Sequence, residues 1–161
     1  MSTLRRSIPR LSRNLSHFKS PSTTLQSRAF RTSPHFKSDI TPILSKNAMP
    51  PVGPYSQAIK TPHAIYCSGQ LPADSQGNIV EGTMGERTAA CLKALSAVLA
   101  EAGSSLDRVV KVQIFLTDMK DFVEMNAEYE KWIKHRPARS CVAVKQLPKG
   151  VDIEIECVAL P

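Results

Sequence analysis

The fold is decided by two stretches near the end of the chain: residues 137–144, with the sequence PARSCVAV, and residues 151–160, with the sequence VDIEIECVAL. Pro148 and Gly150 lie between them and are turn-forming residues. Two such runs separated by a turn are typical of a hairpin. We therefore predict that they form neighbouring antiparallel strands that close the domain.

Arg139 is the residue of these strands whose burial would cost the most free energy. It shares a strand face with Cys141, because successive side chains of a strand point to opposite faces. A buried guanidinium requires an anionic partner. The partner is either an internal carboxylate such as Glu154 or the carboxylate of a ligand, which a guanidinium binds through two parallel hydrogen bonds.

The positive charge of the chain is concentrated at its beginning. The formal net charge is +7, yet residues 1–38 contain eight of the 21 basic side chains and none of the 14 acidic ones. Residues 39–161 therefore carry 13 basic and 14 acidic side chains. Binding to a phosphate backbone needs a basic surplus, so we expect no nucleic-acid partner for this part of the chain.

Residues 1–38 have the composition of a mitochondrial transit peptide. Arginine, serine and threonine are frequent, and there is no continuous apolar run of the kind that a secretory signal needs. We predict a disordered transit peptide that is cleaved between Phe30 and Asp39, and a mitochondrial matrix location for the remainder. A basic arm that stays attached is the alternative. No stretch approaches the roughly 18 apolar residues of a membrane-spanning helix, so we expect no membrane partner.

The cysteines do not have the spacing of a metal site. Cys67, Cys91, Cys141 and Cys157 include no Cys-x-x-Cys pair, and the histidines do not cluster with them. Each cysteine lies in an apolar run, where a free thiol behaves as a small hydrophobic group. We therefore expect neither a metal ion nor a disulfide framework, which would be out of place in a reducing matrix.

The rest of the chain alternates between short strands and two amphipathic helices. Residues 39–54 are proline-rich and predict an irregular lead-in. Thr83 and Glu86 form a capping box before an apolar stripe that Gly103 ends. The remaining predicted elements are strands over residues 55–59, 64–68 and 109–117, and a second helix capped by Asp118 or Asp121 that runs to about Ile133.

This order of elements predicts an α+β domain over residues 39–161, a two-layer sandwich with both helices on one face of a single sheet. The other face would be open to water or to another subunit. Several strands carry Val, Ile and Cys on both faces. Oligomerisation through the uncovered face is therefore expected.

Five motifs in this order resemble those of the reactive-intermediate deaminase family, RidA, once called YjgF. The resemblance extends over about residues 40–161, and five motifs in register are more specific than any one alone. The motifs are Gly53-Pro54-Tyr55-Ser56-Gln57-Ala58, Ser68-Gly69-Gln70-Leu71-Pro72, Asp121-Phe122 with Asn126 and Tyr129, Pro137-Ala138-Arg139-Ser140-Cys141-Val142, and Ile153-Glu154-Ile155-Glu156.

The resemblance implies a homotrimer with a chorismate-mutase-like fold, a mixed β-sheet and active sites in clefts between subunits. It implies hydrolysis of 2-imino acids and their enamines, such as 2-iminobutanoate and 2-iminopropanoate, to 2-oxo acids and ammonia. No metal or organic cofactor is implied. Such an activity would protect pyridoxal-phosphate enzymes and support branched-chain amino-acid metabolism, including isoleucine biosynthesis, in mitochondria.

The resemblance also assigns roles to particular residues. It implies that Arg139 binds the substrate carboxylate, that Tyr55 and Asn126 line the pocket, and that Gly69 lies beside it. Glu154 would orient the attacking water or accept its proton. Without the resemblance, Tyr55 would more often be a packed aromatic, Asn126 a helix-surface amide and Glu154 a solvated strand carboxylate.

The resemblance implies that Cys141 contributes a backbone carbonyl to catalysis and forms part of the pocket wall. A nucleophilic thiol needs a neighbouring base, and the sequence around Cys141 offers none. The implied reaction needs few catalytic groups, because an iminium carbon is already electrophilic. Orientation alone can supply up to about 7–11 kcal/mol of a barrier.

Two other functions remain open. Some relatives in this family have been described as ribonucleases or translation inhibitors, so a nucleic-acid enzyme is one of them. A 2-oxo-acid-binding, chaperone-like module without turnover is the other, because an arginine that binds carboxylates serves binding and catalysis alike.

Overall fold

The computed structural model describes residues 39–161, so the transit peptide predicted for residues 1–38 lies outside the described residues. The described chain is a six-stranded sheet with two helices on one face, and the two-layer α+β prediction is confirmed. In chain order, its elements are β1 Thr41–Ile43, β2 Ala58–Lys60, β3 Ile65–Gln70, α1 Met84–Glu101, β4 Val109–Leu116, α2 Phe122–Trp132, β5 Ala138–Ala143 and β6 Ile153–Ala159.

The sheet is mixed, with the strand order β1-β2-β3-β6-β4-β5. β4 and β5 are parallel and are joined through α2, whereas the other neighbours are antiparallel. The prediction that residues 137–144 and 151–160 are neighbouring strands is wrong, because β4 lies between them. The turn at Pro148–Gly150 permits a hairpin but does not require one, and the long apolar β4 pairs with both strands instead.

The lead-in is more regular than its prolines predict, and the strand expected over residues 55–59 is shorter. β1 forms within the lead-in, and β2 begins only at Ala58. The buried Gln57 side chain binds the lead-in backbone, since its amide nitrogen donates to Met49 O (2.8 Å) and its oxygen accepts from Ser45 N (2.6 Å). The Gln57 side chain therefore makes the hydrogen bonds to the lead-in that the backbone of a longer strand would otherwise make.

Both helices begin near the predicted residues. The capping box of α1 is present, with Thr83 N donating to Glu86 Oε2 (2.8 Å) and Thr83 Oγ1 accepting from Glu86 N (3.2 Å). Before α2, Asp118 caps a short 3₁₀ turn through Lys120 N (2.9 Å), whereas the Asp121 side chain makes no capping bond. Of the two predicted caps, Asp118 is therefore the one that acts, and it acts on the turn that leads into α2.

The alternation in β6 assigns the two faces of the sheet. Ile153, Ile155 and Cys157 are buried against the helices, whereas Glu154 and Glu156 lie on the opposite face. That opposite face has a small apolar cluster at one end, around the partly buried Phe115, and is more open elsewhere. The buried members of this cluster are Met49, Leu71, Ala73, Leu147 and Val151.

Candidate active site

The structure separates the predicted site residues into two groups on opposite faces of the sheet. Arg139 pairs in register with Val112, which is buried on the helix face. Glu154 pairs with Phe115, which lies on the other face. We call the surroundings of Arg139, with Asn126 and Tyr129, the Arg139 half-site. The surroundings of Glu154, with Gly69 and Tyr55, are the Glu154 half-site. Glu154 is therefore not the internal partner of Arg139 within one chain.

Aromatic rings hold the Arg139 guanidinium in place. Its central carbon lies 4.8 Å from the centroid of the Tyr129 ring and 5.9 Å from that of Phe122. This is the distance range of a cation–π interaction. Among residues 39–161, no carboxylate lies within 4.0 Å of its nitrogens. The half-buried guanidinium is thus positioned by apolar rings while its charge remains available to a ligand.

Arg139 opens onto a cavity of about 490 Å³. Asn126 lines the same cavity, since it lies one turn from both Phe122 and Tyr129 on the face of α2 that meets β5. Lys134 and Arg136, from the connection between α2 and β5, also line it. The cavity therefore combines a guanidinium, a side-chain amide and further positive charge, which suits an acidic small molecule.

Cys141 lies two residues after Arg139 on the same strand face and packs partly against the core. Burial raises the pKa of its thiol, and the Arg139 charge opposes this only in part. β5 is an edge strand, and Val144 N donates to Leu116 O (2.8 Å). The alternation along the strand then directs the Cys141 carbonyl toward the unpaired edge. The protonated thiol is a poor nucleophile, whereas the carbonyl is a free acceptor.

In the Glu154 half-site, the carboxylate side chain lies directly over Gly69. A bulge in β3 between Cys67 and Gln70 places Gly69 there. A Cβ atom on residue 69 would lie 2.6 Å from Glu154 Cδ and 2.8 Å from its Cγ, closer than real contacts allow. Glycine at position 69 therefore makes the room that the Glu154 side chain occupies.

A second cavity, of about 220 Å³, adjoins this carboxylate. Tyr55, Ser68 and Gly69 line it together with Glu154. Burial is the main cause that raises the pKa of Glu154 above its ordinary value of 4.5, and the neighbouring Glu156 raises it further. A carboxylate with a raised pKa is a stronger base when it is ionised, which suits it to accepting a proton from water.

Tyr55 lies at the rim of the second cavity. Its side chain is 43 % exposed, and its hydroxyl accepts a hydrogen bond from Val52 N (3.3 Å). The segment around it is tied to β3, because Ser68 Oγ donates to Ser56 O (2.7 Å). The ring is therefore presented at the surface beside Gly69.

Sequence reasoning placed Phe122 and Tyr129 in one motif on the second amphipathic helix, and missed that they support Arg139. Both residues do pack against the core, so the assignment is incomplete. The signal was their spacing of seven residues, which repeats the same helix face above a strand that carries a buried arginine. The division of the site into two half-sites could not be predicted from the sequence, since it depends on which strands are neighbours in the sheet.

The part of the chain that the structure describes contains no group of three His, Cys, Asp or Glu residues placed to hold a metal ion. Within residues 39–161, no helix is long and apolar enough to cross a membrane.

Comparison with known proteins gives one consistent result. The sequence profile of a family described as endoribonuclease L-PSP matches residues 45–160. The mitochondrial protein mmf1 of Schizosaccharomyces pombe is 52 % identical over 130 residues, which is 78 % of this chain and 79 % of that protein.

Solved structures agree with the sequence comparison. The crystal structure of yeast Mmf1 has a TM-score of 0.74 at 43 % identity and covers 75 % of this chain and 98 % of its own. The crystal structure of Escherichia coli TdcF, solved with bound serine, has a TM-score of 0.72 at 30 % identity over similar shares, 75 % and 98 %.

Proposed function

Since this chain belongs to the endoribonuclease L-PSP family, which includes the RidA proteins, we propose that it hydrolyses reactive 2-imino acids and their enamines to 2-oxo acids and ammonia. The substrates would be small, such as 2-iminobutanoate and 2-iminopropanoate. Their removal would protect pyridoxal-phosphate enzymes and support branched-chain amino-acid metabolism, including isoleucine biosynthesis.

This proposal rests on the surroundings of the Arg139 guanidinium. Its guanidinium lies over the Tyr129 ring at 4.8 Å, and no carboxylate of the described chain lies within 4.0 Å of its nitrogens. A guanidinium held in this way is ready for a bidentate bond to a small carboxylate. Serine, which is bound in the related TdcF structure, has such a carboxylate beside an amine.

The two half-sites would meet between subunits. Arg139 and Glu154 lie on opposite faces of one sheet, so one chain cannot place both around a four-carbon molecule. We infer a homotrimer in which the Arg139 half-site of one protomer faces the Glu154 half-site of the next. Such a head-to-tail contact closes into a ring when the rotation between protomers is one third of a turn.

In the proposed reaction, Arg139 binds the substrate carboxylate and fixes the C=N carbon near Glu154. At the nitrogen end, the Asn126 amide donates through its nitrogen or accepts through its oxygen, and the Cys141 carbonyl accepts a hydrogen bond. Glu154 takes a proton from water as the water oxygen bonds to the carbon, the electron pair of C=N moves to the nitrogen, and Glu154 then passes its proton to that nitrogen. A second proton moves by the same route from the new hydroxyl to the nitrogen. Ammonia then leaves as the C=O bond forms. Positioning and one base supply the catalysis.

A mitochondrial location is part of the proposal. The related mmf1 and MMF1 proteins of two yeasts are named as mitochondrial, and the composition of residues 1–38 agrees with a transit peptide. We infer that the folded domain acts in the matrix.

The test is direct measurement of imine loss. 2-Iminobutanoate is generated in the cuvette by an amino-acid oxidase, and its disappearance is followed with and without the purified protein. We expect hydrolysis well above the spontaneous rate, and a loss of at least about a hundredfold in Arg139→Ala because the carboxylate is no longer bound. A rate equal to the spontaneous one with folded wild-type protein would exclude the proposal.

A ribonuclease is the second candidate, and the description of the family as endoribonucleases favours it. The balance of 13 basic and 14 acidic side chains in residues 39–161 argues against it, since RNA binding depends on a basic surplus. RNA cleavage that is equally strong in Arg139→Ala and co-purifies with the protein would support it. Tight binding of 2-oxobutanoate with no imine turnover would instead indicate a non-catalytic binding module.

A further inference from the structure

The cavity beside Arg139 carries more positive charge than one carboxylate compensates. Lys134 and Arg136 line it together with Arg139, and Glu130 is the acidic residue among the described lining residues. Three cations and one carboxylate leave two positive charges in the wall. A monocarboxylic substrate neutralises one of them and leaves the other without a counter-charge.

The two additional cations have no internal partner in the described chain. No carboxylate of residues 39–161 lies within 4.0 Å of the charged nitrogens of Lys134 or Arg136. Lys131, a nearby cation outside the cavity, does form a pair, since its Nζ lies 2.6 Å from Glu128 Oε2. Lys134 and Arg136 therefore line the cavity without a carboxylate partner among residues 39–161.

The segment that carries these cations is held in place. The Nε2 atom of His135, which lies between them, is 2.7 Å from Val109 O at the start of β4. Arg136 has a φ of 56°, a left-handed backbone that residues with a side chain rarely adopt. Such backbone is often retained where it sets the direction of a functional side chain. Pro137 follows directly and leads into β5.

We propose that this site also takes dicarboxylic 2-imino acids, the imines formed when acidic amino acids are oxidised. This inference rests on the proposed function and names a substrate class for the same site. Arg139 would bind the carboxylate next to the C=N carbon, and Arg136, with the added charge of Lys134, would bind the distal one. The hydrolysis is unchanged: water adds to the carbon, ammonia leaves, and a dicarboxylic 2-oxo acid is released.

A structural role is the alternative for these cations. They follow the end of α2, where positive charge compensates the carbonyl end of the helix dipole. In that case their removal would lower the thermal stability of the protein and leave its choice between substrates unchanged.

The experiment measures kcat/KM for 2-iminosuccinate, 2-iminoglutarate and 2-iminobutanoate in the full-length protein. The variants are Arg136→Asn, whose side chain tolerates left-handed backbone, Arg136→Lys, which retains the charge, and Lys131→Asn as a matched control outside the cavity. In Arg136→Asn we expect the ratio of dicarboxylate to monocarboxylate kcat/KM to fall about fivefold or more. Arg136→Lys should restore most of the ratio, and Lys131→Asn should leave it unchanged.

A binding measurement separates this inference from the proposed function. Calorimetric titration with 2-oxoglutarate, oxaloacetate and 2-oxobutanoate needs no turnover, and the wild-type protein should prefer a dicarboxylate. If no variant hydrolyses any imine, the proposed function fails, and the binding preference alone decides the dicarboxylate inference. A ratio that is the same in wild type and Arg136→Asn, with a lowered Tm in the variant, overturns it in favour of the helix-dipole role.

Discussion

The Arg139 half-site and the Glu154 half-site differ in how each holds its charged group. Arg139 lies over aromatic rings in the larger cavity, where further cations surround it. Glu154 lies over a glycine in the smaller cavity, where burial and Glu156 both disfavour its charge. Each half-site thus has an excess of one sign of charge, and neither neutralises itself.

This difference indicates that the two half-sites are complementary. A substrate that carries a carboxylate and a basic imine would interact with both, with its carboxylate on the cationic side and its nitrogen on the acidic side. These separate roles of the two half-sites can be tested by experiment, beginning with the property that should change most.

Mixed assemblies test whether the half-sites come from different protomers. Arg139→Ala and Glu154→Gln proteins are each expected to lose most activity. When equal amounts are unfolded and refolded together, about a quarter of the sites should combine an intact Arg139 with an intact Glu154 of a neighbour. Imine hydrolysis should therefore recover to about a quarter of the wild-type rate.

The control for this mixing is each variant refolded alone. If the mixture shows no more activity than the two separate samples, although it forms assemblies of the same mass, the half-sites do not combine between protomers.

Removing the proposed base, Glu154, should change the pH profile as well as the rate. In Glu154→Gln we expect kcat/KM to fall about a hundredfold, the usual contribution of a general base. Wild-type activity should decline as the pH falls through the raised pKa of Glu154, above 4.5, because the carboxylate becomes protonated. That acidic limb should be absent from the residual activity of the variant. An unchanged acidic limb would assign the titration to another group.

A single methyl group should disturb the Glu154 half-site without removing its carboxylate. In Gly69→Ala the new Cβ displaces the Glu154 side chain, so we expect kcat/KM to fall about tenfold. Gly85→Ala is a matched control, since the nearest side-chain atom to its Cβ would be Glu124 Oε1 at 3.6 Å and alanine favours the helix. Equal activity in the two variants would show that the close approach of Gly69 to Glu154 has no role.

The smallest effect concerns stability. Because the folded protein raises the pKa of Glu154, the stability that this carboxyl contributes is present below pH 4.5 and is lost as the pH rises through the raised value. Glu154→Gln does not titrate, so its Tm at pH 7 should exceed that of wild type by about 1–3 °C. The difference should disappear below pH 4.5. Parallel Tm curves for the two proteins across this range would contradict the pKa shift.

The sequence predicts the layers of this fold well because they depend on local patterns. The capping box at Thr83 and Glu86 and the alternation in β4 each report the position of an element and the face that it buries. Such patterns predict the helices and the one-sided coverage of the sheet. They also predict that Glu154 and Ile153 point to opposite faces of the sheet.

The strand order depends on longer-range pairing and was predicted wrongly in one place. A turn at Pro148 and Gly150 is compatible both with a hairpin and with two strands that flank a third. The choice between these two arrangements depends on which strands pair with the two edges of β4. The separation of Arg139 from Glu154 follows from that choice, so the site residues could be named from the sequence while their arrangement could not.

The close approach of Gly69 to Glu154 couples two positions that are 85 residues apart in the chain. A side chain at position 69 displaces the Glu154 side chain unless position 154 also shortens, so a change at position 69 alone disturbs this carboxylate. Among relatives of this protein, the two positions should change together during evolution. A chain with a larger residue at position 69 should also lack the long carboxylate at position 154, and with it the acidic group of the Glu154 half-site.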